Sequence, residues 1–254
     1  MTSHAVDAWL QGDLSANWEL FHENSKTDRH TRAAGVVAAR AAALGRFAES
    51  LRRVKPYTDF PKVGLPPPVE RAGEDTTALP RRGTSMGLQE FAQVLAGGHE
   101  QAKRAPGPSR PALSEGACYP LELYVHARRV QGLEPGLYHF DPEDLTLDVL
   151  RLGDASSHLG TIVGREADAA DAVVFVSAIF LRCTLKDGDR GYRFALLEAG
   201  HVAQRAYDAA AAAGLHARCV GDYLDRDVDR WIGLDGLSES VIYVMIVDAN
   251  RPRS

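Results

Sequence analysis

A chain of 254 residues with 45% hydrophobic and 25% charged side chains can bury a sizeable core, which argues against wholesale disorder. A net charge of -5 and a pI near 6.0 argue against a general binder of nucleic acid or anionic membrane, since either needs clustered, uncompensated Lys and Arg. The three cysteines, Cys118, Cys183 and Cys219, lack the spacing of a metal site or a small disulfide framework and read as buried free thiols in a reducing compartment.

The opening MTSHAVDAWLQGD has no basic stretch followed by an apolar one. No run approaches the roughly 18 apolar residues that a membrane helix needs, so a cytoplasmic protein is expected. Residues 31–53 carry small and apolar residues at helical spacing without proline, which predicts a helix inside an N-terminal extension over 1–54. Residues 55–80 are rich in proline, which locks φ and removes backbone donors, so an extended connector without regular ladders is expected there. The remainder, 81–254, reads as one domain.

Within that domain TSMGLQEFAQVLAGG (84–98) predicts a short helix, capped by Thr84 or Ser85 and stopped by Gly97–Gly98. Residues 121–130 predict a strand, and 136–153 a hairpin around Asp141–Pro142. A helix is expected over much of 155–170. AVVFVSAIF (172–180) is continuously apolar and β-branched, as a central strand buried on both faces would be. Residues 189–213 predict a long helix with an apolar stripe through Phe194, Leu197, Val202 and Tyr207, ended by Gly214. A strand at 215–220, a helix near 225–232 and a strand at 239–247 follow. This order is neither strict βαβ alternation nor all-β, and no Gly-x-Gly-x-x-Gly turn follows a strand, which leaves a mixed-sheet α+β fold.

Four segments have the residue types for chemistry. Arg81 and Arg82 precede a predicted helix N-terminus, where guanidinium forks and free N–H groups suit a phosphate, although a solvated basic pair is the commoner meaning. The small residues of Ser114-Glu115-Gly116-Ala117 let backbone approach a flat ring, or simply make a turn. Lys186 opens a polar cluster with Asp187, Asp189, Arg190, Tyr192 and Arg193. A desolvated lysine there would serve as a base, and an exposed one would belong to an ion-paired loop. Gly221-Asp222-Tyr223 ends a short strand and either presents backbone to a ligand or turns the chain.

Taken together, GACYPLELYV (116–125), GLEPGLYHFDPEDLTLDVLRLGD (132–154), GDRGYRFALLEAGHVAQ (188–204) and GDYLDRDVDRWIGLDG (221–236) resemble the SagB/ThcOx-type dehydrogenases of the nitroreductase superfamily. FHENSK (21–26) is similar to an N-terminal signature of that family. The resemblance implies a nitroreductase-like mixed sheet wrapped by helices and a cytoplasmic homodimer with FMN at its interface. It also implies oxidation of an azoline, made from Cys, Ser or Thr of a precursor peptide by a partner cyclodehydratase, to the aromatic azole. Such a reaction removes a proton from Cα and a hydride from Cβ to the flavin, so a base and the ring must flank the same two carbons.

By the same resemblance Arg81 and Arg82 address the FMN phosphate or ribityl; Gly83 stands where the family has serine and the family's third arginine is missing, so Arg190 or Arg193 is expected to complete that contact. Ser114, Glu115, Gly116 and Ala117 meet the flavin edge, and Gly221 and Asp222 lie near the ring. Lys186 holds the place of a catalytic lysine, and Asp187 stands where the family usually has tyrosine. His201 and Gln204 fall on the long helix that lines the family's dimer interface. An NAD(P)H-dependent nitroreductase-type enzyme and a non-catalytic scaffold of a peptide-modifying complex are the alternatives.

Overall fold

Alternation of apolar residues in the strands and a stripe of alanines in the longest helix build a sheet with helices on both faces. In this computed structural model residues 17–26, 54–68, 85–98, 114 and 118–249 are described. In chain order the elements are α1 (Asn17–Asn24), β1 (Lys62–Gly64), β2 (Met86–Gly87), α2 (Leu88–Gly98), β3 (Leu121–Ala127), β4 (Val130–Gln131), β5 (Gly136–Asp141) and β6 (Thr146–Leu152). They continue with α3 (Ser156–Ile162), α4 (Arg165–Ala169), β7 (Ala172–Ile179), α5 (Leu181–Asp187), α6 (Asp189–Ala212), β8 (Leu215–Val220), α7 (Asp225–Ile232) and β9 (Glu239–Ala249).

The α+β class expected from the sequence is the class observed. Seven strands form one sheet in the order β1-β6-β5-β3-β7-β9-β8, and every pairing in it is antiparallel. The parallel pairing is confined to the separate β2–β4 pair. Strand β9 slots between β7 and β8, so the β7–α6–β8 crossover is split by the last strand of the chain. One face buries Leu123, Val125, Phe140, Val174 and Met245 under α2 and α6. The other buries Tyr124, Leu137, Phe175 and Val244 under α3, α4 and α7. Phe175 is fully buried in central β7, which by area alone stabilises the fold by about 2–3 kcal/mol.

Several expectations are corrected. Among the connector's described residues, Lys62–Gly64 form an edge strand on β6, because those three residues lie between Pro61 and Pro66 and keep their N–H groups. Helix α2 begins at Leu88 and not after a Thr84 or Ser85 cap: Met86 pairs with Val130, and Ser85 Oγ instead accepts a hydrogen bond from Gln131 at 2.6 Å. Gly97 and Gly98 belong to α2, where a Cβ on Gly97 would stand 2.6 Å from that of Ala209; they permit close packing on α6. The 155–170 helix is two helices, broken at Gly164, whose φ of 127° suits glycine.

The stripe assigned to the long helix is also corrected. The buried face of α6 is Ala195, Ala199, Val202, Ala203, Ala206 and Ala210, whereas Leu197 is 64% and Tyr207 45% exposed. Small residues let α6 approach the sheet and α2 closely, and that leaves its larger apolar residues outward. Cys118 and Cys183 are buried and outside any disulfide, as expected, but Cys219 is exposed on edge strand β8. The helix expected over 31–53 lies outside the described residues.

Candidate active site

At the end of the sheet where β7 and β8 finish and β9 starts, a cleft of about 600 Å³ opens among Phe180, Tyr192, Leu196, Gly221, Tyr223 and Ile242. That size suits one small organic ligand. Tyr192 is wedged between Phe180, at 5.0 Å between ring centroids, and Phe21 of α1, at 5.4 Å and near a right angle. Tyr223 donates its hydroxyl to Val241 O at 3.0 Å, and burial pushes its pKa above the ordinary value. The start of β9 is anchored by Asp229 of α7, which accepts from Val241 N at 2.8 Å and Ser240 Oγ at 2.7 Å. A Cβ built on Gly221 meets nothing within 4 Å, so the glycine leaves open space at the wall. The walls combine three aromatic rings and Gly221 with the polar side chains of Asp225 and Ser240, a lining with room for a flat ring that has polar edges, such as a flavin.

The residues proposed from sequence distribute unevenly around this cleft. Gly221 lines it, and Asp222 follows as an exposed neighbour. Lys186 and Asp187 are half-buried at the end of α5, a helix and not a loop, and α5 runs between cleft residues Phe180 and Tyr192. Gly188, at φ 60°, turns the chain sharply from α5 into α6. Gly191 then packs so closely on α5 that a Cβ there would lie 2.6 Å from the Cys183 carbonyl.

Arg190 and Arg193 do not line the cleft. Arg190 donates to Ser25 O at 3.2 Å and Arg193 to His22 O at 2.7 Å, so both cations meet carbonyls at the C-terminal end of α1. Ser114 Oγ accepts a hydrogen bond from Tyr119 N at 2.8 Å. Gln204 is exposed and donates to Asp208 at 2.8 Å, and His201 is exposed. Arg81, Arg82, Gly83, Glu115, Gly116 and Ala117 lie outside the described residues.

A second constellation at the same end of the sheet was not anticipated. Glu122 of β3 pairs with Arg182 of α5 at 2.6 Å and accepts from His139 Nε2 of β5 at 2.8 Å; His139 Nδ1 meets Asp148 of β6 at 3.1 Å. Lys62 of β1 reaches Asp148 at 3.2 Å. Lys55 donates its backbone N–H to Glu122 at 3.0 Å and its ammonium to Glu239 at 2.7 Å and to Tyr124 at 3.1 Å. Tyr124 and Ser177 both donate to Glu239 Oε1, at 3.0 and 2.8 Å.

Burial opposes a charge on Glu122, but the His139 hydrogen bond and the Arg182 guanidinium outweigh it and hold the carboxyl at about 2. Burial likewise opposes a charge on His139, yet its bonds to Asp148 and Glu122 raise the imidazole above its ordinary pKa. Both ring nitrogens face carboxylate oxygens, an arrangement that favours the protonated ring. Among the described residues no group of His, Cys, Asp and Glu is arranged to hold a metal ion.

Period-2 alternation hides this cluster. In LELYVHA and GLYHFD the polar residues fall where a half-buried strand would face water, and only the helices and the Lys55–Phe60 segment laid over that face reveal their burial. The signal available in sequence was charged and aromatic residues alternating on several neighbouring strands.

Comparison with known proteins is consistent with this architecture. Residues 137–247 match the Nitroreductase family. A Methanocaldococcus jannaschii protein grouped by name with the nitroreductases is 37% identical over 118 residues, 45% of this chain and 59% of that protein. The microcin B17-processing protein McbC of Escherichia coli is 29% identical over 133 residues, 50% of this chain and 49% of McbC. The chain thus spans about half the length of the curated relatives it matches. A chain of the E. coli microcin synthetase McbBCD complex with truncated pro-MccB17 superposes with a TM-score of 0.59 at 20% identity, covering 99% of this chain and 98% of that one. Over residues 137–247 the chain matches the Nitroreductase family, and its fold is nitroreductase-like.

Proposed function

We propose that the chain is an FMN-dependent oxidoreductase of the SagB/ThcOx type that acts on a modified peptide or related natural-product intermediate, with azoline-to-azole oxidation as its reaction. The observation that carries this reading is the aromatic cleft at the end of a nitroreductase-like sheet, with Gly221 leaving its wall open. Its assignment to peptide chemistry draws on the similarity to McbC and to the microcin synthetase complex. Bound FMN supplies the hydride acceptor, and the protein supplies position and electrostatics.

Residues of this chain then divide the work. Arg81 and Arg82, beside Gly83, would hold the phosphate, Ser114, Glu115, Gly116 and Ala117 would meet the flavin edge, and Gly221 and Asp222 would lie near the ring. Phe180 and Leu196 exclude water from the cleft. Lys186 takes the proton from the substrate carbon, and Asp187 sets the charge around it. A homodimer completes the site through the outward apolar residues of α6, Leu196, Leu197 and Tyr207, and a cyclodehydratase delivers the precursor peptide. We take 81–254 as the main domain, preceded by the 1–54 extension and by the 55–80 connector, which adds edge strand β1 to the domain's sheet. We place its site of action in the cytoplasm; no described helix is long and apolar enough to cross a membrane.

An absorbance spectrum of the purified chain tests the reading. Flavin bands in the visible, present as isolated or after addition of FMN, are the expected result; a chain that stays colourless and leaves FMN fluorescence unquenched refutes it. The M. jannaschii similarity favours a second reading, an NAD(P)H-dependent nitroreductase-type enzyme. Anaerobic bleaching of the bound flavin by NAD(P)H selects that reading, and bleaching by an azoline peptide alone selects the first.

A further inference from the structure

Helix α1 docks against the side of the cleft. Phe21 stands edge-on to Tyr192 with ring centroids 5.4 Å apart, and Tyr192 leans in turn on Phe180 at 5.0 Å. Tyr192 and Phe180 both line the cleft, as does Leu196, one turn beyond Tyr192 on α6. Phe21 is half-buried and reaches the cleft through the Tyr192 ring.

The same helix α6 holds α1 in place. Arg190 and Arg193, one turn apart, donate to Ser25 O at 3.2 Å and to His22 O at 2.7 Å, so two cations satisfy carbonyls at the end of α1 where the helix dipole favours positive charge. The Arg193 guanidinium also lies 5.6 Å from the centroid of the Phe21 ring. Ser25 is buried and turns its hydroxyl back onto the Phe21 carbonyl. Among the described residues Phe21 belongs to neither buried hydrophobic cluster, and Leu20 faces solvent. An element held by two arginines and an aromatic edge contact, without a share in the core, opens at a free energy well below that of global unfolding.

We propose that α1 is a detachable side wall of the cleft that limits the size of the ligand admitted. Phe21 is a positioning residue that pins the Tyr192 ring against Phe180. Arg190 and Arg193 are the latches that keep α1 docked, which gives both cations a task at the cleft although neither lines it. With α1 docked, the volume of about 600 Å³ suits a small flat molecule. With α1 released, Tyr192, whose side chain is already exposed to solvent, turns outward and a bulkier molecule enters. This role follows from the cleft's geometry and holds whichever ligand the cleft takes.

Thiol accessibility in the full chain tests it. Cys118 and Cys183 are buried, so a chain with Cys219→Ser and Gly221→Cys carries its reactive thiol on the cleft wall, where a Cβ meets nothing within 4 Å. Its reaction is followed with a small methanethiosulfonate and with bulky fluorescein maleimide. Adding Phe21→Ala, or Arg190→Gln with Arg193→Gln, is expected to speed the bulky reagent about three- to tenfold, the range that loss of an aromatic edge contact supports, and the small reagent by less than about twofold. Hydrogen exchange over residues 17–25 should quicken in the same variants. Phe21→Tyr, which keeps a ring against Tyr192, should return the bulky rate to that of the parent.

Should Phe21→Ala fail to fold, the arginine pair, whose side chains are both partly exposed, carries the test. An unchanged bulky rate in a folded variant overturns the proposal. Equal acceleration of both reagents overturns it too, because that is general loosening and not a size limit. Unprotected amides over 17–25 in the parent chain would also overturn it, since α1 would then not be docked.

Discussion

Two regions at one end of the sheet use polar groups in opposite ways. The cluster from Lys62 through Asp148, His139 and Glu122 to Arg182 is closed, with cations and carboxylates interleaved and its centre buried. The cleft beside it is open, walled by aromatic rings and Gly221. A saturated network resists substitution because removing one member strands the others in low dielectric. An open wall tolerates substitution in the folded chain and reports it in binding. Chemistry of buried charge alone does not mark a ligand site; unfilled space beside it does.

The largest way to break this contrast is Glu122→Leu. It leaves Arg182 and His139 without their shared carboxylate, and an expected loss of about 3–5 kcal/mol should appear in urea denaturation. A wild-type midpoint would mean that the cluster is not closed in solution.

Acid should do the same by titration. Because the folded pKa of Glu122 is depressed from 4.5 to about 2, its contribution is present above pH 4.5 and lost as pH falls toward 2, an effect of about 3 kcal/mol. His139 carries the opposite sign. Its folded pKa is raised above 6.5, so its contribution is full below pH 6.5 and fades as pH rises through the folded value. Thermal midpoints measured across both limbs should lose the alkaline slope in His139→Gln.

The open region should answer differently. Gly221→Leu puts a side chain into the cleft where a Cβ meets nothing, so the chain should fold normally while FMN binding weakens about tenfold or more, near 1.4 kcal/mol. The smallest expected effect on folding belongs to Leu197→Asp on the outward face of α6, within about 0.5 kcal/mol for the isolated chain. If α6 meets a second copy there, sedimentation should nonetheless shift toward monomer; an unshifted dimer would place the interface elsewhere.

Strands β3, β5, β7, β8 and β9 and helices α6 and α7 were legible because their apolar periodicity and their breakers at Asp141–Pro142 and Gly214 are local signals. Edge strand β1 was hidden by the prolines around it, and the α2 cap was misread because the β2–β4 pairing is made with residues more than forty positions away. Of the candidate site, Gly221 is at the cleft, Lys186 is on the adjoining helix, and Arg190 and Arg193 turn instead to α1. Guanidinium reach is long and rotameric, so sequence position alone does not choose its partner.

The sequence by itself determined the order of the longer strands and helices and the α+β class, because backbone propensity and hydrophobic period act over a few residues. Only the tertiary structure decided which face of α6 is buried, where alanines displaced Leu197 and Tyr207 from the core to allow close approach. It alone also decided that Glu122, His139, Asp148 and Arg182, scattered over some sixty positions, form one buried ion cluster. Charge burial is a property of what covers a residue, and what covers Glu122, His139 and Asp148 comes from α5 and from the Lys55–Gly64 segment, which lie far from them in the chain.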